Sequence, residues 1–171
     1  MANKDIPAGF RLFGEPAQTF VAWRPIKSDY GTALAPHDAV VYSNGYIQAA
    51  GTNDSVAGVI IATYDSDKLP VAYSPASTAG YALVCEDPDQ LWIVQSDGTA
   101  DLAATDIGTT YKSTSAGPVT TPAARSTFEL DVSESDASAN QLKLVALHRA
   151  PNNAWGDTCD VVVRFNLHAG K

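Results

Sequence analysis

The stretch PASTAGYALVCEDPDQLWIVQ, residues Pro75 to Gln95, predicts its own fold more plainly than any other part of the chain. Two runs rich in β-branched, aromatic and aliphatic residues, Tyr81 to Cys85 and Leu91 to Gln95, flank the acidic turn Glu86 to Asp89. The two runs are therefore predicted to be antiparallel neighbours. Apolar groups fall on both alternating faces of each run, a pattern typical of strands that are covered on both sides.

Strand signals recur along the rest of the chain, as about nine or ten runs at roughly 8 to 15 residue spacing. This layout predicts an all-β fold, an antiparallel sandwich or barrel that is jelly-roll-like, with one short helix at Thr99 to Ile107. Asn44-Gly45 predicts a tight hairpin turn, and Gly58 predicts a bulge or a close backbone approach. The Ser/Thr/Pro-rich segment Thr109 to Ala124 is predicted to be an exposed loop. No internal repeat is visible.

Residues 1–18 are predicted to form an extended N-terminal arm, and residues 19–171 a single β domain. The arm carries Phe10, Leu12 and Phe13 between glycine and proline residues. An arm this short cannot bury three large side chains against itself, so they are expected to dock on the domain or on a neighbouring subunit. A frayed tail with one anchor residue is the alternative.

Composition and charge restrict the class of partner. The 171 residues are 45% hydrophobic and 18% charged, which is typical of a globular domain. A net charge of −8 without any basic run argues against a nucleic-acid surface and against binding to an anionic membrane. The N-terminal residues lack a continuous apolar stretch, which predicts a protein made and kept in a cytoplasm. Cys85 and Cys159 lie in strand-like runs as small hydrophobes, and their pairing stays open.

The sequence contains no recognisable catalytic or metal-binding motif. His37, His148 and His168 are not spaced with cysteines or carboxylates as metal ligands are, and no nucleophile elbow or phosphate-binding glycine motif occurs. The acidic turns Asp65-Ser66-Asp67 and Glu86 to Asp89 can hold a hard cation or act on a glycosidic bond. Such turns are more often solvated, with Asp accepting local N–H groups. We therefore predict no catalytic, cofactor or metal site.

The three tryptophans are read mainly as packing groups. Trp23 and Trp92 lie in strand runs and are predicted to be large apolar or amphipathic packing groups rather than ligand platforms. Trp155 lies in the polar turn PNNAWGD, where it either caps the end of the barrel or anchors a partner. The candidate partner-binding residues are therefore Phe10, Leu12, Phe13 and Trp155.

Four phrases of the sequence resemble the capsid decoration, or cement, proteins of tailed bacteriophages: MANKDIPAGFRLFG, YSPASTAGYALVCEDPDQLWIVQ, ARSTFELD and LHRAPNNAWGDTCDVVVRFNLH. They cover both ends and the centre of the chain, whereas Thr109 to Ala124 departs from the resemblance. It implies a β-rich structural protein without enzymatic activity, located on the capsid surface of a virion and made in the bacterial host cytoplasm. The implied partners are the major capsid protein and further copies of this chain, as a dimer or trimer.

Two alternatives to this reading stay open. A carbohydrate-binding or host-adsorption module on the virion surface is the first, because β-sandwiches often present aromatic and carboxylate groups at their loop ends. A glycosidase using the Glu86 to Asp89 cluster is the second, and no other constellation in the sequence supports it.

Overall fold

The protein is all-β, as the sequence predicts. The structure, a computed structural model, describes residues 3–14, 20–120, 124–136 and 139–170. Its strands are β1 (Arg11–Leu12), β2 (Val21–Ile26), β3 (Ala39–Ser43), β4 (Tyr46–Ala49), β5 (Gly58–Tyr64), β6 (Pro70–Val71), β7 (Gly80–Cys85), β8 (Leu91–Gln95), β9 (Thr110–Thr114), β10 (Glu129–Asp136), β11 (Leu142–Leu147) and β12 (Asp160–Phe165).

The first half of the chain forms a closed five-stranded barrel. Around its wall the strands follow the order β2, β7, β5, β3, β4, and β4 returns to β2 through the parallel pair Ile26–Ile47. The β3–β4 hairpin turns at Asn44 and Gly45, both with positive φ, as predicted. Strand β6 extends this sheet at its edge. We call this unit the first barrel.

The second half repeats the same arrangement. Its wall follows the order β8, β12, β11, β9, β10, and β10 returns to β8 through the parallel bridge Ser96–Leu130. In each half, numbered along the chain, the order is therefore first, fifth, fourth, second, third strand, with a parallel contact between first and third. We call this unit the second barrel. The sequence shows no internal repeat, whereas the architecture contains one.

The correspondence extends to single residues. The fourth strand of each barrel contains a bulge, between Ile60 and Ala62 in β5 and between Leu144 and Ala146 in β11. In each barrel, the residue two positions before the second strand has a positive φ. Its N–H donates to the backbone carbonyl of the residue that precedes the bulge. These contacts are His37 N–H to Ile60 O at 2.7 Å (φ 75°) and Gly108 N–H to Leu144 O at 2.9 Å (φ 97°).

Corresponding positions also form the two interiors. Through the paired registers, six buried residues of the first barrel match six buried residues of the second: Ile26, Val40, Ile47, Ile60, Ala82 and Val84 against Ser96, Tyr111, Leu130, Leu144, Val161 and Val163. Five of the six pairs are apolar on both sides, so burial is preserved while side-chain identity is not. Such a repeat leaves no pattern that sequence inspection detects.

The N-terminal segment lies along the second barrel. Strand β1 pairs antiparallel with β8, and the Phe10 N–H donates to His37 O at 3.0 Å. Phe10 is fully buried, with its ring 5.2 Å from that of Phe165 and 5.7 Å from that of Phe128. Of the two expected docking sites, the segment uses the domain itself. The prediction that Phe10 anchors a partner is wrong for this fold, because the side chain has no exposed surface.

The predicted hairpin between Tyr81 to Cys85 and Leu91 to Gln95 is wrong. The first run is β7, which pairs with β2 and β5, whereas the second is β8, which pairs with β12 and β1. The acidic turn does form, since Asp87 Oδ1 accepts the Asp89 N–H at 2.9 Å, but it carries the chain from one barrel to the other. On one face of β7, Ala82 and Val84 pack in the core of the first barrel, whereas Cys85 on the other face joins the core cluster that contains Trp92 and Val94 of β8.

Two further segments differ from expectation. Part of the predicted loop 109–124 is strand β9, whose Thr110, Tyr111 and Ser113 are buried between β10 and β11; residues 121–123 lie outside the described residues. Thr and Ser contribute to a buried strand here by hydrogen bonding, as Ser113 does with Gln141. The predicted helix is reduced to a 3₁₀ turn at Ala104–Asp106, and the Leu102 N–H before this turn donates to Gly156 O.

Candidate binding surface

An exposed aromatic cluster lies on the outer wall of the first barrel. Trp23 in β2 is 46% exposed, and its ring centroid lies 4.4 Å from that of Tyr64 in β5 and 6.3 Å from that of Tyr81 in β7. The Lys68 Nζ stands 5.9 Å from the Trp23 ring centroid and 5.4 Å from that of Tyr81, within the range of cation–π attraction. We call these four residues the aromatic surface.

The turn after β5 positions Lys68. Asp65 Oδ1 accepts the N–H groups of Asp67 and Leu69, both at 2.9 Å, and the Lys68 N–H donates to Asp65 O at 3.1 Å. Lys68 itself has a φ of 63°, which the turn imposes. The Asp65-Ser66-Asp67 cluster is thus a local turn in which Asp65 accepts the N–H groups of the residues that follow. The turn holds the Lys68 cation over the aromatic rings.

A shallow apolar cleft continues the aromatic surface beyond Tyr64. It has a volume of about 330 Å³ and is lined by Tyr64, Val71, Tyr73 and Pro75 among others. Leu69, beside Lys68, is 61% exposed. Tryptophan and tyrosine side chains are enriched at the centres of protein–protein contacts. This region therefore has the chemistry of a binding surface.

Glu86 belongs to a second polar cluster at the end of the first barrel. Its carboxylate accepts hydrogen bonds from the Arg24 guanidinium and the Tyr42 hydroxyl, and Arg24 also lies 5.3 Å from the Tyr42 ring centroid. Burial alone would raise the pKa of Glu86, but the bonds from Arg24 and Tyr42 outweigh it and hold the pKa below its usual value. Burial, with Glu86 next to it, raises the pKa of Tyr42 to about 12. Glu86 is therefore a structural ion-pair partner.

The predicted site residues are placed apart from the aromatic surface. Leu12 is half-buried against the core, and Phe13 is 42% exposed with its ring edge-on to His148 at 6.3 Å. Trp155 is half-buried and packs against the same core, and the choice between its two predicted roles, a cap of the barrel end or a partner anchor, stays a prediction. Trp92 is 1% exposed, which confirms its predicted packing role, whereas Trp23 packs against Tyr64 with about half of its surface exposed.

Sequence reasoning missed Trp23 because β2, VAWRPI, carries apolar residues at both alternating positions and gives no outward face. Pro25 was a usable signal. A proline inside a strand run indicates an open edge, since it has no N–H to donate to a neighbour.

Metal chemistry receives no support from the geometry of the described ranges. Within 3–14, 20–120, 124–136 and 139–170, no group of three His, Cys, Asp or Glu side chains lies close enough together to hold a metal ion. Both cysteines are buried and free. Over the same residues, no helix is long and apolar enough to cross a membrane.

One acidic residue of the second barrel makes stability depend on pH. Burial, reinforced by Asp5 and Asp97, raises the pKa of Glu129 to about 7. A carboxyl whose folded pKa exceeds its unfolded value binds a proton preferentially in the native state. Its contribution to the stability of the fold is therefore fully present below the usual glutamate pKa of 4.5 and is lost as pH rises to about 7.

We expect Glu129→Gln to be more stable than the wild type at pH 8 by about 1 kcal/mol, after allowance for partial solvent screening, and no more stable at pH 4. Thermal unfolding at pH 4, 6 and 8 measures this difference. The exposed Asp101→Asn provides the control and should follow the wild type. An equal effect of Glu129→Gln at pH 4 and pH 8 would contradict the assignment.

Comparison with known proteins gives no family for this chain. No protein-family model matches it, and neither a curated protein nor a solved structure shows a match.

Proposed function

We propose that this protein is a structural virion protein, without enzymatic activity, that binds the outside of a phage capsid and stabilises contacts between capsomers. The aromatic surface carries the proposal, because Trp23 is 46% exposed on the outer wall, packed against the half-buried Tyr64 and Tyr81 beneath Lys68, and is not part of the barrel's own core. The resemblance of four sequence phrases to capsid decoration proteins supports it independently. The partners are the major capsid protein and further copies of the chain, as a dimer or trimer.

Binding to many equivalent positions would make individually weak contacts sufficient. A lattice of identical sites allows an oligomer to engage several capsomers at once, so its avidity exceeds the affinity of one contact. An exposed tryptophan at the centre of such a contact commonly contributes about 2 kcal/mol or more.

The test is to mix purified protein with undecorated heads. We expect binding at regular surface positions and a higher disruption temperature of the heads. Trp23→Ala should weaken binding about 30-fold, the equivalent of about 2 kcal/mol. Tyr46→Ala, another exposed aromatic residue of the first barrel, is the matched control. Absence of binding to any head lattice, or full binding by Trp23→Ala, would contradict the proposal.

A carbohydrate-binding or host-adsorption module is the second candidate. The observation in its favour is that Tyr64, whose ring packs on Trp23, also lines the 330 Å³ cleft, so a ligand lying on the two rings could extend into a concave site. A glycan array separates the two functions, since a blank array contradicts this candidate and leaves head binding unaffected.

A further inference from the structure

Because the two barrels share one topology, the aromatic surface of the first barrel has an equivalent region on the second barrel. In the second barrel this region is covered by the N-terminal segment. In the second barrel, β1 lies along the open edge of β8, with Arg11 opposite Ile93 and Leu12 opposite Trp92. The Phe13 N–H donates to Leu91 O at 3.0 Å, which continues the pairing. An extended segment therefore closes this edge.

The side chains of that segment cover the outer wall beside it. The Arg11 guanidinium lies 2.7 Å from the Asp160 carboxylate, and the Phe13 ring meets His148 edge-on. His148 and Asp160 are themselves neighbours across β11 and β12, since the His148 N–H donates to Asp160 O at 3.0 Å. The covered wall thus consists of Ile93, His148 and Asp160.

The corresponding residues of the first barrel form the aromatic surface. Ile93 of β8 pairs with Val162, and Val162 lies opposite Ala146, the residue after the bulge in β11. In the same way, Trp23 of β2 pairs with Leu83, which lies opposite Ala62, the residue after the bulge in β5. Counting from the same bulge, the pair Tyr64–Tyr81 takes the place of His148–Asp160. Trp23, Tyr64 and Tyr81 thus occupy the positions that β1 covers in the second barrel.

The edge of β2 is open where the edge of β8 is closed. Among the described residues, the backbone of 21–25 pairs only with β7, and β4 reaches β2 only at Ile26. In the second barrel, the covering segment supplies a cation, Arg11, which pairs with Asp160. The first barrel already has a cation of its own at this surface, because Lys68 lies over Trp23 and Tyr81. An incoming segment therefore needs an apolar or acidic side chain at the position of Arg11.

We propose that the β2 edge of the first barrel receives an extended segment of a partner protein as an added antiparallel strand, with its apolar side chains on Trp23 and Tyr64. Main-chain hydrogen bonds to β2 supply affinity, and the aromatic surface selects the side chains. This inference rests on the proposed function, because it takes the aromatic surface as the partner site. It adds that the bound part of the partner is an extended segment with apolar side chains.

The probe is a synthetic peptide with the sequence of residues 9–14, GFRLFG, blocked at both ends and carrying Arg11→Glu to complement Lys68. We expect saturable binding. At a peptide concentration about four times Kd, hydrogen exchange of the exchangeable β2 amides should slow about fivefold. The same peptide N-methylated at the residue of Phe13 loses the N–H that pairs in β1 and should not protect β2.

Variants locate the site. Trp23→Ala should weaken peptide binding about tenfold or more, whereas Tyr46→Ala should leave it unchanged. Absence of saturable binding, protection outside β2, or equal binding of the N-methylated peptide overturns the proposal. If the β2 amides become protected without peptide as the protein concentration rises, the edge binds a second copy of the chain. If oligosaccharides bind and the peptide does not, the surface is a sugar site. Either result overturns the proposal. No capsid is used, so failure here and failure to bind heads are distinguishable.

Discussion

Phe10→Ala is expected to lower the free energy of unfolding by about 3 to 5 kcal/mol, the range for removal of a fully buried aromatic side chain. Phe10 is fully buried, and its ring packs against Phe128 and Phe165 across the second barrel. The loss combines the transfer free energy of the ring with the cavity it leaves. The residue lies in a segment that the sequence identifies as an arm, so a large effect would establish this segment as part of the core.

Chemical denaturation measures the change, and Phe13→Ala is the matched control. Phe13 lies three residues further along the same segment but is 42% exposed, so its truncation should cost less than about 1 kcal/mol. Two similar small values would show that the segment detaches from the domain in solution. In that case residues 1–18 would be an arm after all.

Gly58→Ala is expected to destabilise the protein by about 2 to 3 kcal/mol through overpacking. A Cβ at this position would lie 2.3 Å from Cys85 O and 2.7 Å from Val84 Cγ1. The first of these is a backbone atom of β7, so the two strands must separate at the point where β5 begins. The close approach confirms one of the two alternatives that Gly58 suggested, while the bulge lies three residues later.

Thermal unfolding compares Gly58→Ala with Gly31→Ala, because Gly31 has nothing within 4 Å of its Cβ position. We expect Gly31→Ala to be within about 0.5 kcal/mol of the wild type. The second barrel carries Leu142 where the first carries Gly58, so a side chain is tolerated there. A neutral Gly58→Ala would mean that the first barrel can widen in the same way.

Local chemistry allowed much of the fold to be predicted. The Asn44-Gly45 turn and most strand runs depend on neighbours in the sequence, and each is confirmed. The strand β9 was missed because Thr and Ser are buried there through hydrogen bonds that distant residues supply, such as Gln141. The helix was overpredicted because a run as short as Thr99 to Ile107 is not stably helical on propensity alone, so tertiary contacts decide its conformation.

The binding surface was predicted less well than the fold. Phe10 has the sequence context of an exposed anchor and is buried, whereas Trp23 has the context of a core residue and is exposed. Both differences have the same cause. Exposure depends on which strand lies next to which, and β1 covers β8 but leaves β2 open.

The sequence by itself determined that this chain is all-β, acidic and without a recognisable catalytic motif, because periodicity, turn residues and charge act locally. Only the tertiary structure decided that the chain forms the same five-stranded barrel twice and that the acidic turn joins the two. Strand pairing depends on backbone hydrogen bonds, which any apolar sequence of the right period can make. Two barrels can therefore share one topology while their side chains share almost nothing.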